Sequence, residues 1–428
     1  MEIVLSFRFE GGVVADDRTP VVLVAGLATA AVTRVAEEFL RRPGTAVVHH
    51  DLREITHGVV RRRMRWGGQD QRAVLELAHG CVSCTLRQDL LPLLLRLCHT
   101  PGVDRVVLHL DPAMEPEAIC WALRHVVVEG KTVVERARVD GVVTVLDQAT
   151  WLADATGDEP LAERDLQASA DDERTVAQVA VGQVEFADAL VIGGVRPESW
   201  TAERTRAVLD RLAPGAPRAR LDLLDAEALL AKVPPNARRG EVDDAHAPLL
   251  RGQPPLESDC GVRVVHFSQR RPFHPERLHD ALDVLLEGVV RARGRAWVAS
   301  QPDVTLWLES AGGGLRVGHA GPWLAALDPA YWDRVGAERR AMAALRWDPY
   351  YGDRDQEVVV IAHRADPEEI TRALERALLT DEELGAGESI WRSYPDPFGH
   401  WHAEPCSDNE TAEADRGGNR LRNNKEDK

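Results

Sequence analysis

Two cysteines three residues apart are where this sequence most directly offers chemistry. In His79-Gly80-Cys81-Val82-Ser83-Cys84-Thr85, Cys81 and Cys84 could hold a soft metal, form a redox-active disulfide, or sit as a buried pair in a turn. The metal reading comes first, because two thiolates supply half of a tetrahedral zinc site. His79 is the nearest further ligand in sequence, followed by His49, His50 and Asp51. Thr85 and Gln88 are spaced as a capping box, which places the thiols at a helix N-terminus, where the helix dipole favours thiolate. Pro92 complicates that helix: either Asp89 caps a later start or the helix kinks. A second group, His400, His402 and Cys406, has metal-like spacing but no partner cluster near it, and reads as an incidental surface sequence.

The second chemical signature is a phosphate-binding loop without its phosphate chemistry. Residues 20–25 read as a buried parallel strand, and an amphipathic helix with Val32, Val35, Phe39 and Leu40 inward follows. A nucleotide-hydrolysing protein carries G-x-x-x-x-G-K-[ST] at that junction. Here the residues are Gly26-Leu27-Ala28-Thr29-Ala30-Ala31-Val32-Thr33. Ala31 replaces the second glycine, whose absent side chain lets the backbone approach a phosphate, and Val32 replaces the lysine that neutralises it.

These residues need a framework. Apolar strand candidates at 20–25, 45–49, 104–110, 140–146 and 187–193 alternate with helices, including 202–212 and 225–232. The pattern predicts an α/β domain with a P-loop-type, mainly parallel, doubly wound sheet. Segment 152–174 is acidic and reads as a surface insertion. Residues 233–259, with five prolines among charges, read as a linker. A second, smaller α+β domain with an antiparallel sheet follows: strand 262–268, helix 275–290, strands 295–300 and 304–309, a Gly312-Gly313-Gly314 turn into 315–319, strand 356–363 and helix 367–379. The expected division is 1–232, linker 233–259, 260–403, and a disordered tail 404–428.

Composition narrows the class. The chain has 428 residues, 44% of them hydrophobic, with no run long enough to span a membrane. Six cysteines in this length do not make a disulfide framework, and Met1-Glu2-Ile3-Val4 does not start a signal peptide, so a reduced, cytoplasmic protein is expected. A net charge of −17 argues against broad binding to DNA or other nucleic acid. Two local arginine runs, Arg61-Arg62-Arg63-x-Arg65-Trp66 and Arg291-x-Arg293-x-Arg295, are candidate basic patches or else solvated charged faces.

These motifs resemble the CobW-type family of P-loop GTPases and metallochaperones over roughly residues 20–403. The family's G-C-x-C-C-T is matched by Gly80-Cys81-Val82-Ser83-Cys84-Thr85, with Ser83 in place of its middle cysteine. Arg271-Pro272-Phe273-His274-Pro275-Glu276-Arg277-Leu278, Arg293-Gly294-Arg295-Ala296-Trp297 and Gly352-Asp353-Arg354-Asp355-Gln356-Glu357 are similar to its C-terminal domain. The departures are as informative. His109-Leu110-Asp111-Pro112 stands where the family has Glu-x-Ser-Gly, and Gly193-Gly194-Val195-Arg196 stands where Asn-Lys-x-Asp reads guanine. Three nucleotide elements replaced together imply a pseudo-GTPase, not an enzyme, with no nucleotide bound. Within the family the chain looks most like an actinobacterial branch that recruits a ribosome hibernation factor under zinc starvation. Ile119-Cys120-Trp121-Ala122, Arg174-Thr175-Val176-Ala177-Gln178-Val179, Trp307-Leu308-Glu309-Ser310 and Asp396-Pro397-Phe398-Gly399 carry that likeness. It implies a zinc-responsive adaptor whose partners are the 30S subunit or 70S ribosome and the hibernation factor. The alternative is a GTP-dependent zinc metallochaperone. A thiol oxidoreductase, lacking thioredoxin-type context, ranks last.

Overall fold

The structure is a computed structural model and describes residues 16–77, 81–169, 171–250 and 252–399. Among these, eight strands form the first sheet: β1 (Thr19–Ala25), β2 (Thr45–Asp51), β3 (Val59–Trp66), β4 (Gln69–Glu76), β5 (Arg105–His109), β6 (Ala137–Asp147), β7 (Ala189–Gly193) and β8 (Arg218–Arg220). Their order is β4-β3-β2-β5-β1-β6-β7-β8. β2, β5, β1, β6, β7 and β8 run parallel, and the β3–β4 hairpin adds antiparallel to the outer edge of β2.

Both faces of the parallel strands are apolar, as central strands covered twice must be. On one face Val22, Val24, Val47, Val107, Val143 and Val145 pack under α1 (Thr29–Leu40). On the other face Val21, Leu23, Val48, Val106, Leu108 and Val142 meet a helical layer. That layer holds α2 (Val82–Thr85), α3 (Leu91–Leu97), α4 (Pro116–His125), α5 (Trp151–Thr156), α6 (Val176–Glu185) and α7 (Ser199–Leu212). The short α8 (Ala226–Leu230) returns to the α1 side. Segment 152–174, expected as a surface insertion, instead contains α5 and buries Ala155 and Leu161 against α6.

The second sheet contains β9 (Arg263–Gln269), β10 (Val289–Trp297), β11 (Val304–Ala311), β12 (Gly314–Pro322) and β13 (Gln356–Ala362). All pairs are antiparallel in the order β12-β11-β10-β13-β9. One face packs on α9 (Pro275–Ala281), and α10 (Ala337–Arg346) lies in the β12–β13 connection before α11 (Pro367–Ala377) completes that layer. The opposite face, through Val290, Ala311 and Ile361, packs on Trp151, Ala177, Ala180 and Leu212 of the first domain. One helical layer therefore serves both sheets.

The helix expected over 275–290 stops at Ala281 and closes with a 3-10 turn over Leu282–Leu285. Gly288, at φ 71°, then turns the chain into β10; a Cβ there would lie 2.6 Å from the Ala365 backbone. The segment expected as a linker, 233–259, carries no helix or strand among its described residues but packs on both domains. The Arg239 backbone N–H donates to Asp188 Oδ1 at 3.0 Å, and His246 meets Trp323 edge-on at 5.5 Å. Residues 404–428, expected as a disordered tail, lie outside the described residues.

Candidate metal-handling site

Cys81 and Cys84 stand at the start of a helix, as expected, but the capping is different. Cys81 is itself the N-cap: its backbone is extended and its Sγ accepts the Cys84 N–H at 3.4 Å. Thr85 is inside the helix, buried, and donates its hydroxyl to the Cys81 carbonyl at 3.3 Å. The Thr85–Gln88 capping box is therefore not formed. Pro92 neither delays nor breaks the helix. The chain widens into a π-type turn over Leu86–Leu90, which absorbs the missing proline N–H, and continues as α3. Both cysteines are half-buried and free of disulfides.

Two thiols in one helical turn suit a soft cation and leave its remaining coordination positions to other groups. His79, and the His400, His402 and Cys406 group, lie outside the described residues. Among the described residues no cluster of three or more His, Cys, Asp or Glu is arranged to hold a metal.

The other sequence-adjacent candidates are engaged separately. His50 is buried and its Nε2 lies 2.8 Å from Asp89 Oδ2, while Arg62 bonds the other oxygen. Burial holds His50 below the usual histidine range against the pull of Asp89, so the neutral ring donates Nε2–H. Burial pushes Asp89 up, but His50 and Arg62 together bring it below an ordinary carboxyl. His49 stacks on His109 with ring centroids 4.1 Å apart, and its Nδ1 lies 2.9 Å from the His109 carbonyl oxygen. Asp51 pairs with Arg53. In sequence Asp89 is one of two readings at Pro92, a cap for a later helix start; its role as the acceptor shared by two strands has no local sequence signature.

The degenerate nucleotide positions line the carboxyl edge of the parallel sheet, where this kind of fold binds ligands. Only Gly26, Leu27 and Ala28 separate β1 from α1. The N–H groups of Ala31 and Val32 donate to the Ala28 carbonyl at 2.8 and 3.0 Å, so both belong to the first helical turn. Val32 is buried and leans back on the turn: its Cγ2 lies 3.0 Å from where a Cβ on Gly26 would stand. The Walker-lysine position thus carries an apolar side chain packed against the loop. Asp111, in the catalytic stretch of the family, is buried and accepts the N–H groups of Leu52 at 3.0 Å and Ala113 at 3.1 Å. It ties the end of β5 to the end of β2. At the guanine-reading position Gly194 (φ 76°) crosses so close to Asp147 that a Cβ would come within 1.9 Å of its Oδ1.

Neither arginine run is a free basic patch. On the hairpin, Arg61 pairs with Glu54, Arg62 with Asp89, Arg63 with Asp70 and Arg65 with Glu37. On β10, Arg291 and Arg293 bond Glu185, Arg291 also bonds Glu309, and Arg295 bonds Asp355 and Glu357.

Family models match both the parallel-sheet domain and the antiparallel α+β domain. The chain matches the model of the CobW/HypB/UreG nucleotide-binding domain over residues 24–217 and that of the cobalamin synthesis protein CobW C-terminal domain over residues 262–378. It belongs to this CobW family. It is 47% identical over 403 residues to a Mycobacterium tuberculosis protein described as zinc chaperone Rv0106, covering 91% of this chain and 95% of that one. It is 28% identical over 338 residues to the zinc-regulated GTPase metalloprotein activator 1 of Dictyostelium discoideum, covering 76% of this chain and 70% of that one. The Zn(II)-bound YjiA GTPase from E. coli aligns in structure at 13% identity and a TM-score of 0.34, over 85% of this chain and 99% of that one. No helix among the described residues is long and apolar enough to cross a membrane.

Proposed function

We propose that this chain is a cytoplasmic zinc chaperone that holds its cargo through Cys81 and Cys84 without turning over nucleotide. The cysteine pair at the N-terminus of the α2–α3 helix carries the proposal. The relative described as a zinc chaperone, similar along nearly the whole chain, supports zinc as the ion. A site with two fixed thiols, and His79 as its nearest third ligand in sequence, leaves at least one position of a four-coordinate ion open. An acceptor's ligands enter there, so zinc passes by stepwise ligand exchange and needs no hydrolysis. The packed Val32 and the tight turns at Gly26 and Gly194 support the absence of a GTP cycle: the Walker-lysine position carries no charge to neutralise a γ-phosphate.

Calorimetric titration tests both halves. Zinc binds at about one ion per chain, and Cys81→Ala/Cys84→Ala abolishes it. Mg-GTP gives no saturable heat. Full zinc uptake by the double variant would move the site elsewhere, and micromolar GTP binding would restore the GTPase-chaperone reading.

A second reading, a zinc-responsive recruiter of a hibernation factor to the small ribosomal subunit, is favoured by the joint replacement of three nucleotide elements. Metal occupancy is then the remaining input that can bias the surface. In that reading the metal-free protein co-sediments with 70S ribosomes and stoichiometric zinc releases it. Equal sedimentation with and without zinc removes the switch, and no sedimentation removes the reading.

A further inference from the structure

Where the two domains and segment 233–259 meet, the structure forms a partly open pocket of about 40 Å³. At roughly 10–15 Å³ per enclosed water, that is room for several atoms. Four guanidinium groups line it: Arg211 from α7, Arg238 from the connecting segment, and Arg291 and Arg293 from β10. Leu250 and Pro254 close it on the connecting side.

Direct pairing among these charges is incomplete. Glu185 bonds Arg291 at 2.7 Å and Arg293 at 2.9 Å, Glu309 bonds Arg291 at 2.6 Å, and Asp243 bonds Arg238 at 2.8 Å. Three carboxylates thus bond three of the four arginines. Arg211 is the one left over: it is 4% exposed, and its hydrogen bonds go to the carbonyl oxygens of Ala207 and Glu257. Asp210 and Asp259, the acids whose charges reach it, bond Arg206 and Arg218 instead, while Glu117 on α4 and Asp188 act at longer range on Arg238, and Glu117 also on Arg293. Burial lowers the Arg211 pKa, as it must for a cation taken from water without a counter-ion. The Nε–H groups of Arg211, Arg291 and Arg293 are all buried without an acceptor. Unmade hydrogen bonds from buried cations are costly, and three around one void describe a missing acceptor.

We propose that this junction binds one small inorganic oxyanion, phosphate or sulfate, held by Arg211, Arg238, Arg291 and Arg293. A tetrahedral oxyanion supplies a negative charge beside Arg211, which bonds only carbonyl oxygens, and acceptors in several directions. Because its ligands come from both domains and the segment joining them, the bound anion clamps the domain arrangement. The site is separate from Cys81 and Cys84, so its test is run on the metal-free full-length protein and is independent of the zinc reading.

Equilibrium dialysis with labelled inorganic phosphate, at ionic strength held constant with chloride, measures it directly. The expected result is saturable uptake of about one anion per chain, displaced by sulfate but not by added chloride. Arg211→Met weakens uptake about tenfold or more, the scale of one lost charge-assisted hydrogen bond. Should Arg211→Met fail to fold by circular dichroism, Arg238→Met serves as the second variant, with the same loss expected. Uptake of sulfate alone would also support the site and would assign the anion. No saturable uptake of either anion by the wild-type protein overturns the proposal and leaves water as the acceptor. Unchanged uptake by the folded variant overturns it as well.

Discussion

The two arginine runs look alike in sequence and end in opposite surroundings. Arg61–Arg65 lie on the outer hairpin, where Arg61 and Glu54 keep about half their side-chain surface exposed and Arg63 and Asp70 about 40%. Arg291, Arg293 and Arg295 alternate on one face of β10, and the Arg295 side chain is 2% exposed. Both runs are paired with carboxylates, yet Arg61 and Arg63 of the first make solvated local pairs while Arg62 and Arg65 turn inward to Asp89 and Glu37, and the second run forms the polar interior of the domain junction and the second domain. Alternation says which residues share a face. It does not say whether another layer will cover that face.

The largest expected effect is at Arg295. It bonds Asp355 and Glu357, both themselves buried, with Arg346 as the other cation on the pair. Arg295→Met leaves two carboxylates with the partially exposed Arg346 guanidinium and the His266 ring on Glu357. Removing one side of a buried pair costs about 3–5 kcal/mol, and Arg346 keeps this case near about 3. The urea midpoint should fall accordingly with an unchanged m-value. A loss under about 1 kcal/mol, the range of surface pairs, would make the two runs energetically alike.

His109 tests how far charge on the hairpin reaches inward. Burial holds its pKa down to about 3, helped by His49 and by Arg65 of the first run. The folded ring stays neutral while an unfolded one titrates near 6.5. As pH falls below 6.5 the unfolded state takes up the proton first, so stability is lost through the window from 6.5 down to 3. By pH 5 the loss from this residue is about 2 kcal/mol relative to pH 7. His109→Gln should remove that part of the pH slope in urea melts. An unchanged slope would assign the acid sensitivity elsewhere.

Much of this molecule was legible in the sequence. β1, β2, β5, β6 and β7 fall on the expected apolar runs, because centrally buried parallel strands are written as continuous hydrophobic stretches. The cysteine pair is at a helix start, although the cap is Cys81 itself and not Thr85. The β3–β4 hairpin was not read, since its strands are rich in arginine and polar residues. Its signal was nevertheless present: Gly67-Gly68, at φ 57° and 80°, is the pair a tight hairpin turn requires. Strand β10 was misplaced because three arginines interrupt it: Arg291 and Arg293 meet Glu185 at the end of α6, and Arg295 meets Asp355 and Glu357 at the start of β13, contacts that only the fold makes. The His50–Asp89–Arg62 cluster joins residues distant in sequence, and no local pattern encodes such a meeting.

The smallest effect is expected from Arg61→Gln/Arg63→Gln. Both arginines are bonded to carboxylates, Arg61 to Glu54 at 2.8 Å and Arg63 to Asp70 at 2.6 Å, but all four side chains remain well solvated. Water replaces such partners at little cost, and ordering long side chains on an exposed ribbon offsets most of what the pair contributes. The packing of the hairpin rests instead on Val60 and on Met64, Trp66 and Leu75, which the substitutions leave in place. The double variant should therefore keep the wild-type urea midpoint and the wild-type zinc stoichiometry. A midpoint shift approaching that of Arg295→Met would mean that exposure does not separate the two runs. An altered zinc stoichiometry at an unchanged midpoint would instead connect the hairpin to the cysteine pair through Arg62, Asp89 and the helix that Cys81 caps.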